Sequence, residues 1–384
     1  MATDELKIER AHTPQERMEF ARFPWRVYKN DPNWVPPLVS ERVEFLDPQR
    51  HPFYEHADVV LFLARRGSEV VGTIAALVNH LHNEFWNEKV GFFGLFEVLE
   101  DRQAAEALLN AACDWVRAQG MDAIRGPANF STNEEIGLLV DGWDGPPVIM
   151  MTYNPRYYVD FIEGAGFFTA RDLVAYMADL RSFIENGLPE RTLRVAEKVR
   201  KQRSLSTRTL DMRRFDQEVQ HVKRIYNSAW ARNWGFVPMT DHEIDHIAVQ
   251  LKQILDPDLC HFILKDGEEI GFALILPNLN TPLLKAYPHP DTPEWWTMLK
   301  MLWHWKVRRS HYIARAYAGG IIDPHRGSGA DVVMAVAVIE GMLKKGYRYC
   351  ETSWVLEDNL MMRRMAEAYN SVVYRTYRVY EKTL

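Results

Sequence analysis

Apolar and polar positions alternate with a period of two across Val59–Arg65 and Glu69–Val78, and Arg66-Gly67-Ser68 lies between them, which predicts a β-hairpin. Val90–Val98 reads as a further strand. The pattern then lengthens to the helical period over Gln103–Gln119, stops at Gly120 and resumes as a strand at Asp122–Arg125. Ahead of these, Leu6–Ala11 is a short strand, and Thr13-Pro14-x-Glu16 opens a helix over Thr13–Asn30 with a capping box. Late in the chain, a β-branched strand ends near Ile322. A small polar turn follows, then an apolar helix Ala330–Leu343, a strand Tyr347–Val355, a helix Asn359–Tyr369 and a last strand Val372–Tyr380.

The order recurs. The hairpin FLARRGSEVVG, Phe62–Gly72, is echoed by FILKDGEEIG, Phe262–Gly271; GFFGLFE, Gly91–Glu97, aligns with YAGGIID, Tyr317–Asp323; Asn33-Trp34 returns as Asn233-Trp234. This alignment brings Gly94 onto Gly320. Two copies of one α/β unit are therefore expected, residues 1–180 and 205–384, joined by a basic helical segment at 181–204. Leu188–Arg214 carries nine basic against three acidic residues, which suits a solvated linker or an anion-binding patch.

The turn Arg326-Gly327-Ser328-Gly329 carries the chemistry. Small residues directly before a helix let backbone N–H groups converge where the helix dipole already favours an anion, although tight packing alone also produces such turns. No lysine follows the glycines and no G-x-G-x-x-G occurs, so a nucleoside-triphosphate loop and a dinucleotide fingerprint both fit poorly.

Composition narrows the classes further. The chain has 384 residues, net charge −6 and 47% hydrophobic residues, which excludes a disordered tail protein and gives no general attraction to nucleic acid. Cys113, Cys260 and Cys350 have no C-x-x-C spacing, so neither a disulfide framework nor a metal site is expected, and the reducing cytoplasm is the expected location. No apolar run is long enough to span a bilayer, which leaves contact with a membrane surface open.

Arg326-Gly327-Ser328-Gly329-Ala330-Asp331 resembles the pyrophosphate loop Q/R-x-x-G-x-G/A of the GCN5-related N-acetyltransferase (GNAT) superfamily, departing from it at Asp331. The resemblance implies a mixed α+β fold, here two tandem acetyltransferase-like domains, each a mostly antiparallel sheet flanked by helices. It also implies acetyl-coenzyme A or a longer acyl-coenzyme A as co-substrate and an amine as acceptor. Gly320 and Ile321 would lie at a strand bulge whose N–H groups polarise the thioester carbonyl. Arg326, Gly327, Ser328, Gly329 and Ala330 would hold the pyrophosphate, and Asn359 would open the family's last helix. Glu351 is the candidate base, or else the partner of a structural ion pair. His325 and Tyr369 are candidates for the leaving-group acid, because the family's usual tyrosine position is Ala366 here.

The first copy reads as degenerate: the alignment puts Glu100 opposite Arg326, Asp101 opposite Gly327 and Gln103 opposite Gly329. A carboxylate there opposes a diphosphate by about a kcal/mol or more. This copy instead holds an insertion after Arg125, whose Asn129, Ser131, Asn133, Glu135 and Asp141 suit an acceptor-binding loop or, individually, simple helix caps. The acceptor is expected between the copies.

Other readings remain open. A non-catalytic acyl-coenzyme A sensor would share these features. Tandem architecture also resembles the aminoacyl-transferring enzymes of bacterial cell-wall synthesis, against which the acidic balance and the intact turn favour coenzyme A. Finally, PEWWTMLKMLWHWKV, Pro293–Val307, is a helix with four tryptophans, which suits either a core or a cavity for a lipid-like acyl chain or acceptor. On that ground the chain resembles bacterial acyltransferases that N-acylate long-chain bases, without a motif matched residue by residue.

Overall fold

A computed structural model describes residues 5–310 and 312–384. The chain forms two compact units that are not its consecutive halves: Met1–Val174 with Asn280–Arg308 and Arg375–Leu384 in one, Ala175–Leu279 with Arg309–Tyr374 in the other.

In unit 1, strands β1 (Leu6–Arg10), β2 (Ala57–Arg66), β3 (Glu69–Asn79) and β4 (Val90–Val98) pair antiparallel in sequence order. β5 (Ala123–Gly126) then lies parallel to β4. Helix α1 (Pro14–Arg22) starts at the capping box read from the sequence, with Thr13 accepting from Glu16 N. The helix α2 (Arg102–Ala118) makes the crossover from β4 to β5. Its buried residues Ala104, Ala105, Leu108, Leu109, Ala112, Cys113 and Val116 form one stripe, and they meet Ile74, Phe93, Val98 and Ile124 from the sheet. Small residues in both layers allow close approach: a Cβ on Gly91 would lie 2.4 Å from Val116 Cγ1. Each fully buried Leu, Ile, Val or Phe side chain here contributes about 1.5–3 kcal/mol of apolar burial.

Unit 2 repeats the plan. Helix α3 (Glu190–Gln202) precedes β6 (Leu205–Thr209), and α4 (Phe215–Trp230) leads to the hairpin of β7 (Cys260–Lys265) and β8 (Glu268–Pro277). β6, β7, β8 and β9 (Ile313–Ile321) are antiparallel in order, and β10 (Tyr349–Leu356) is parallel to β9 after the crossover helix α5 (Ala330–Lys344). Helix α6 (Leu360–Ala368) and strand β11 (Ser371–Thr383) end the chain. The basic segment is part of this unit: Ala196 of α3 is buried in the same core as Val333, Ile339 and Met342 of α5.

Where the repeat predicts a division near residues 181–204, the structure instead exchanges terminal strands. The end of β11 completes the sheet of unit 1, Tyr380 standing opposite Gly126 and Thr383 opposite Ala123. Glu381 bonds Arg125 at 2.7 Å, Lys382 Nζ donates to Ala165 O at 2.7 Å, and Arg375 donates to Gly145 O at 2.6 Å. Reciprocally, Ala178 and Leu180 join the core of unit 2, and Leu180 N donates to Arg348 O at 2.9 Å. Strand pairing and the part-buried Arg125–Glu381 ion pair, which no local pattern encodes, set this division.

Asn280–Arg308 also belongs to unit 1. Trp25 Nε1 donates to Pro288 O at 3.0 Å, Ser40 Oγ to Glu294 Oε2 at 2.6 Å, and Asn280 Nδ2 to Pro147 O at 3.0 Å. Of the four tryptophans in Pro293–Val307, only Trp305 is buried; Trp295, Trp296 and Trp303 stand in solvent, so the helix is neither core filler nor the wall of a closed cavity. No helix among the described residues is long and apolar enough to cross a membrane.

Deleting Arg375–Leu384 should open unit 1 from its β5 edge. Hydrogen exchange should then show lost protection across β5 and β4 while the α5 amides stay protected.

Candidate functional site

The parallel register of β9 and β10 runs through Ile313↔Tyr349, Ala314↔Cys350, Arg315↔Glu351 and Ala316↔Thr352, and there it ends, although both strands continue to Ile321 and Leu356. Tyr317–Ile321 thus have one edge against β8 and one edge that β10 has left. Ile322 N donates to Ile270 O on the β8 side. By alternation, the Gly320 N–H also faces β8, and those of Gly319 and Ile321 face the opened edge.

This corrects the expected placement of the bulge. The register shift on β8 falls between Leu274 and Ile275, where Leu274 opposes Ala318 and Ile275 opposes Ala316, so Tyr317 is the extra residue. Gly319 and Gly320 pair regularly with Ala273 and Phe272. The glycine at 320 has a packing cause instead: a Cβ there would lie 2.8 Å from both Ala229 Cβ and the Trp230 ring.

Past the opened edge, Asp323–His325 make a single tight turn and Arg326–Gly329 lead into α5. Gly327 and Gly329 take φ of 68° and 84°, conformations that favour glycine. A Cβ on Gly329 would also press on Val199 of α3 at 2.9 Å, whereas one on Gly327 would meet nothing. Gly329 stands at the N-cap position and supplies no side-chain cap, so no capping side chain competes for the amides that open α5, while Val332 N donates to the Gly329 carbonyl at 3.2 Å. Ser328 Oγ donates to the His325 carbonyl at 2.6 Å and fixes the turn. Arg326 folds back on it: the guanidinium reaches Asp323 at 3.1 Å and the carbonyls of Ile321 and Ala229. These contacts brace the loop. Arg232 holds the other Asp323 oxygen at 3.1 Å.

Tyr369 packs on the core beneath α5, where burial and then the Asp331 carboxylate hold its hydroxyl above the usual tyrosine range. The turn residues, His325, Ala330 and Tyr369 thus gather at one end of α5. Glu351 and Asn359 have their own partners. Glu351 is fully buried with its Oε2 3.5 Å from Arg315 Nε, and Arg315 in turn lies over the Tyr317 and Trp354 rings at 5.5 and 5.3 Å. Removing one partner of such a pair costs about 3–5 kcal/mol. Asn359 caps α6 through Met362 N at 3.2 Å. Arg315 is a residue the sequence reading did not single out. An arginine at an alternating core position of a strand, level with Glu351 on the next, is the signal that was there.

Unit 1 has the same opening and fills it. β4 and β5 part after Phe92↔Arg125, and the segment Ala128–Asn129 enters beside β4. A Cβ on Gly94 would lie 1.8 Å from Ala128 O. The bulge of β4 falls at Leu95 and Phe96, and the Leu95 N–H donates to Asn129 Oδ1 at 2.7 Å. At its helix start, Asp101 is the N-cap of α2 and accepts from Ala104 N at 3.1 Å, while Arg66 grips Asp101 at 2.8 and 3.2 Å and Gln103 at 2.8 Å. The structural counterpart of Gly329 is therefore Asp101, two places from the Gln103 of the sequence alignment, because the link from strand to helix is longer in unit 2, Ile322–Ser328 against Leu99–Glu100. The protein's own carboxylate occupies the anion position.

The insertion is largely self-bonded. Asn129 Nδ2 donates to Glu135 at 3.1 Å, Ser131 Oγ accepts from Asn133 N at 3.2 Å, and Glu134 accepts from Phe130 N at 2.7 Å and meets the buried His51 at 3.1 Å. Phe130 stacks between Phe45 and Phe53 at 4.5 and 5.2 Å. Asp141 lies apart, at the exposed end of a strand paired with β11.

Glu97 on β4 was also missed. Burial among Tyr28, Tyr157 and Tyr158 pushes its carboxyl up to about 7, against hydrogen bonds from Tyr158 at 2.8 Å and from Tyr28 that favour the anion. The folded state then holds a proton that the unfolded chain releases near 4.5, so this group's stability contribution is complete below that pH and is lost as pH rises through 7. Glu97→Gln should flatten the fall in stability between pH 4.5 and 7, by on the order of 1–3 kcal/mol in urea unfolding.

No protein-family model matches the chain. It is 39% identical over 99% of its length, and 98% of the relative's, to the bacterial ceramide synthase of Caulobacter vibrioides. It is 32% identical to Protein YghO of Escherichia coli over 95% of its length and 92% of the relative's. A tandem GNAT protein from the clavulanic acid biosynthesis pathway shares the fold, with 12% identity, TM-score 0.57 and coverage of 99% of this chain and 98% of that one.

Proposed function

The chain belongs to the tandem GNAT-fold N-acyltransferases, in one family with bacterial ceramide synthase, and from that premise we propose that unit 2 takes an acyl-coenzyme A and transfers its acyl group to the amine of a long-chain amino alcohol. The observation that carries this reading is the uncapped start of α5 at Gly329, beside a strand edge that β10 has left. A pyrophosphate at that turn would meet first-turn amides and the positive end of the helix, worth about 0.3–2 kcal/mol for each charge in reach. The thioester carbonyl would lie along β9 toward the Gly319 and Ile321 N–H groups, which polarise it.

In the reaction the amine nitrogen forms a bond to the acyl carbon as the carbon–sulfur bond breaks. The sulfur leaves as thiolate and takes up a proton, and the nitrogen loses one. Tyr369, held protonated, suits donation to the thiolate, and His325 beside the turn suits acceptance from the amine. Glu351, held by Arg315 in the core, suits the role of keeping β9 and β10 in register up to the point where they part.

The long-chain acceptor is supported by the ceramide synthase relative, since a ceramide is a fatty amide of a long-chain amino alcohol. Incubation with acetyl- and palmitoyl-coenzyme A, each with a long-chain amino alcohol or a polar polyamine, should release thiol and yield a ceramide-like amide by mass spectrometry only with the long-chain amine. Turnover confined to acetyl transfer onto polyamines would refute the acceptor.

Calorimetry should find one coenzyme A site per chain. Ser328→Asp places a carboxylate at the turn and should weaken binding about tenfold or more, well beyond Ser328→Ala, which loses the same hydrogen bond to the His325 carbonyl without adding charge. Asp101→Asn should leave the affinity unchanged.

A further inference from the structure

Helix Glu294–Leu302 and the wider π-helical turn Trp303–Val307 that continues it have two opposite faces. Thr297, Met301 and Trp305 are buried and anchor the element. Trp295, Trp296, Leu299, Leu302, Trp303 and Val307 point outward, with Trp295 65%, Leu299 52% and Val307 67% exposed. At about 100° per residue, the outward residues of the α-helical part span an arc of about 120°, and Thr297 and Met301 lie on the far side. Single exposed apolar residues are ordinary; six on one amphipathic face, three of them tryptophan, mark a docking surface.

Charge identifies the partner. Residues 295–310, WWTMLKMLWHWKVRRS, contain Lys300, Lys306, Arg308 and Arg309 and no acid, in a chain whose net charge is −6. Lys300 turns inward to the Ala286 carbonyl, and the preceding Glu294 is held by Ser40. Lys306, Arg308 and Arg309 are exposed. Lys306 Nζ sits 3.5 Å from the centroid of the buried Trp305 ring, and the Arg308 guanidinium 5.1 Å from that of the exposed Trp303. Tryptophan side chains favour the boundary between hydrocarbon and headgroups, and basic residues at the same level favour anionic headgroups.

We propose that this helix lies flat in the surface of an anionic lipid bilayer and docks the protein there, its tryptophan face among the acyl chains and its basic end against the phosphates. The proposal needs no catalytic step and stands apart from the choice of acceptor.

The test uses the full chain and sedimentation with vesicles of phosphatidylcholine, alone or mixed with phosphatidylglycerol. Binding should strengthen on adding phosphatidylglycerol by about fivefold per exposed basic residue engaged and weaken as salt rises. The triple variant Trp295→Ser, Trp296→Ser, Trp303→Ser should lose at least tenfold in binding to the mixed vesicles, and Lys306→Gln with Arg308→Gln and Arg309→Gln should lose the preference for them. Melting temperatures should stay near that of the parent, since the substituted side chains are exposed. Failure of the parent to bind either vesicle would overturn the proposal, as would undiminished binding by the tryptophan variant. Concentration-dependent dimers that the tryptophan substitutions dissociate, without vesicle binding, would assign the face to a second copy and equally overturn it.

Discussion

Parallel strands β9 and β10 share four residue pairs and then separate, and this separation is the constraint on which the rest of unit 2 depends. Backbone groups on an edge strand need partners, and a strand edge left by its neighbour in mid-sheet is a place for one. The buried Arg315–Glu351 pair sits one residue before the end of the pairing and resists its extension or slippage, since a shift would strand a charge in the core. Beyond the separation, the chain turns through Gly327 and Gly329 and presents the uncapped end of α5 to the same side.

Unit 1 shows what the same opening becomes when the chain supplies the partner. Its β4 and β5 also separate, but Asn129 accepts from the Leu95 N–H, and Asp101 with Arg66 closes the helix start. Gly94 is needed there because the carbonyl of Ala128 takes up the space of a side chain. The two units thus keep one architecture and differ in who occupies the opening. In unit 1 its own amide and carboxylate do so, and in unit 2 the position suits the acyl donor proposed above.

The two elements to which the proposals above assign binding lie on different units. The turn before α5 is held by Ser328, Asp323, Arg326 and the close approach of Val199 from α3, all within unit 2. The apolar tryptophan face sits on unit 1, where Trp25, Ser40 and Pro147 fasten the segment that carries it. That segment interrupts unit 2 in sequence between β8 and β9.

The repeat, the hairpins, the crossover helices and the glycine turn before α5 were legible in the chain itself, because each rests on local information: a period of two or 3.6, a capping box, glycines where φ must be positive. Even the unlike character of the first copy could be read from Asp101 and Gln103, since charge is a property of the residue. What only tertiary structure decided depends on partners distant in sequence. Arg375–Leu384 belongs with unit 1 because Glu381 meets Arg125 and Tyr380 stands opposite Gly126. Glu351 became half of a core ion pair because Arg315 stands level with it on a strand thirty-six residues earlier. The bulge fell at Tyr317 because the register with β8 shifts there, ahead of the glycine pair. The helical pattern of Pro293–Val307 marked a helix, but a pattern of tryptophans reads alike for a buried face and an open one. Which it is follows from how much of its circumference the neighbouring segments cover, and here they cover the side of Thr297, Met301 and Trp305 alone.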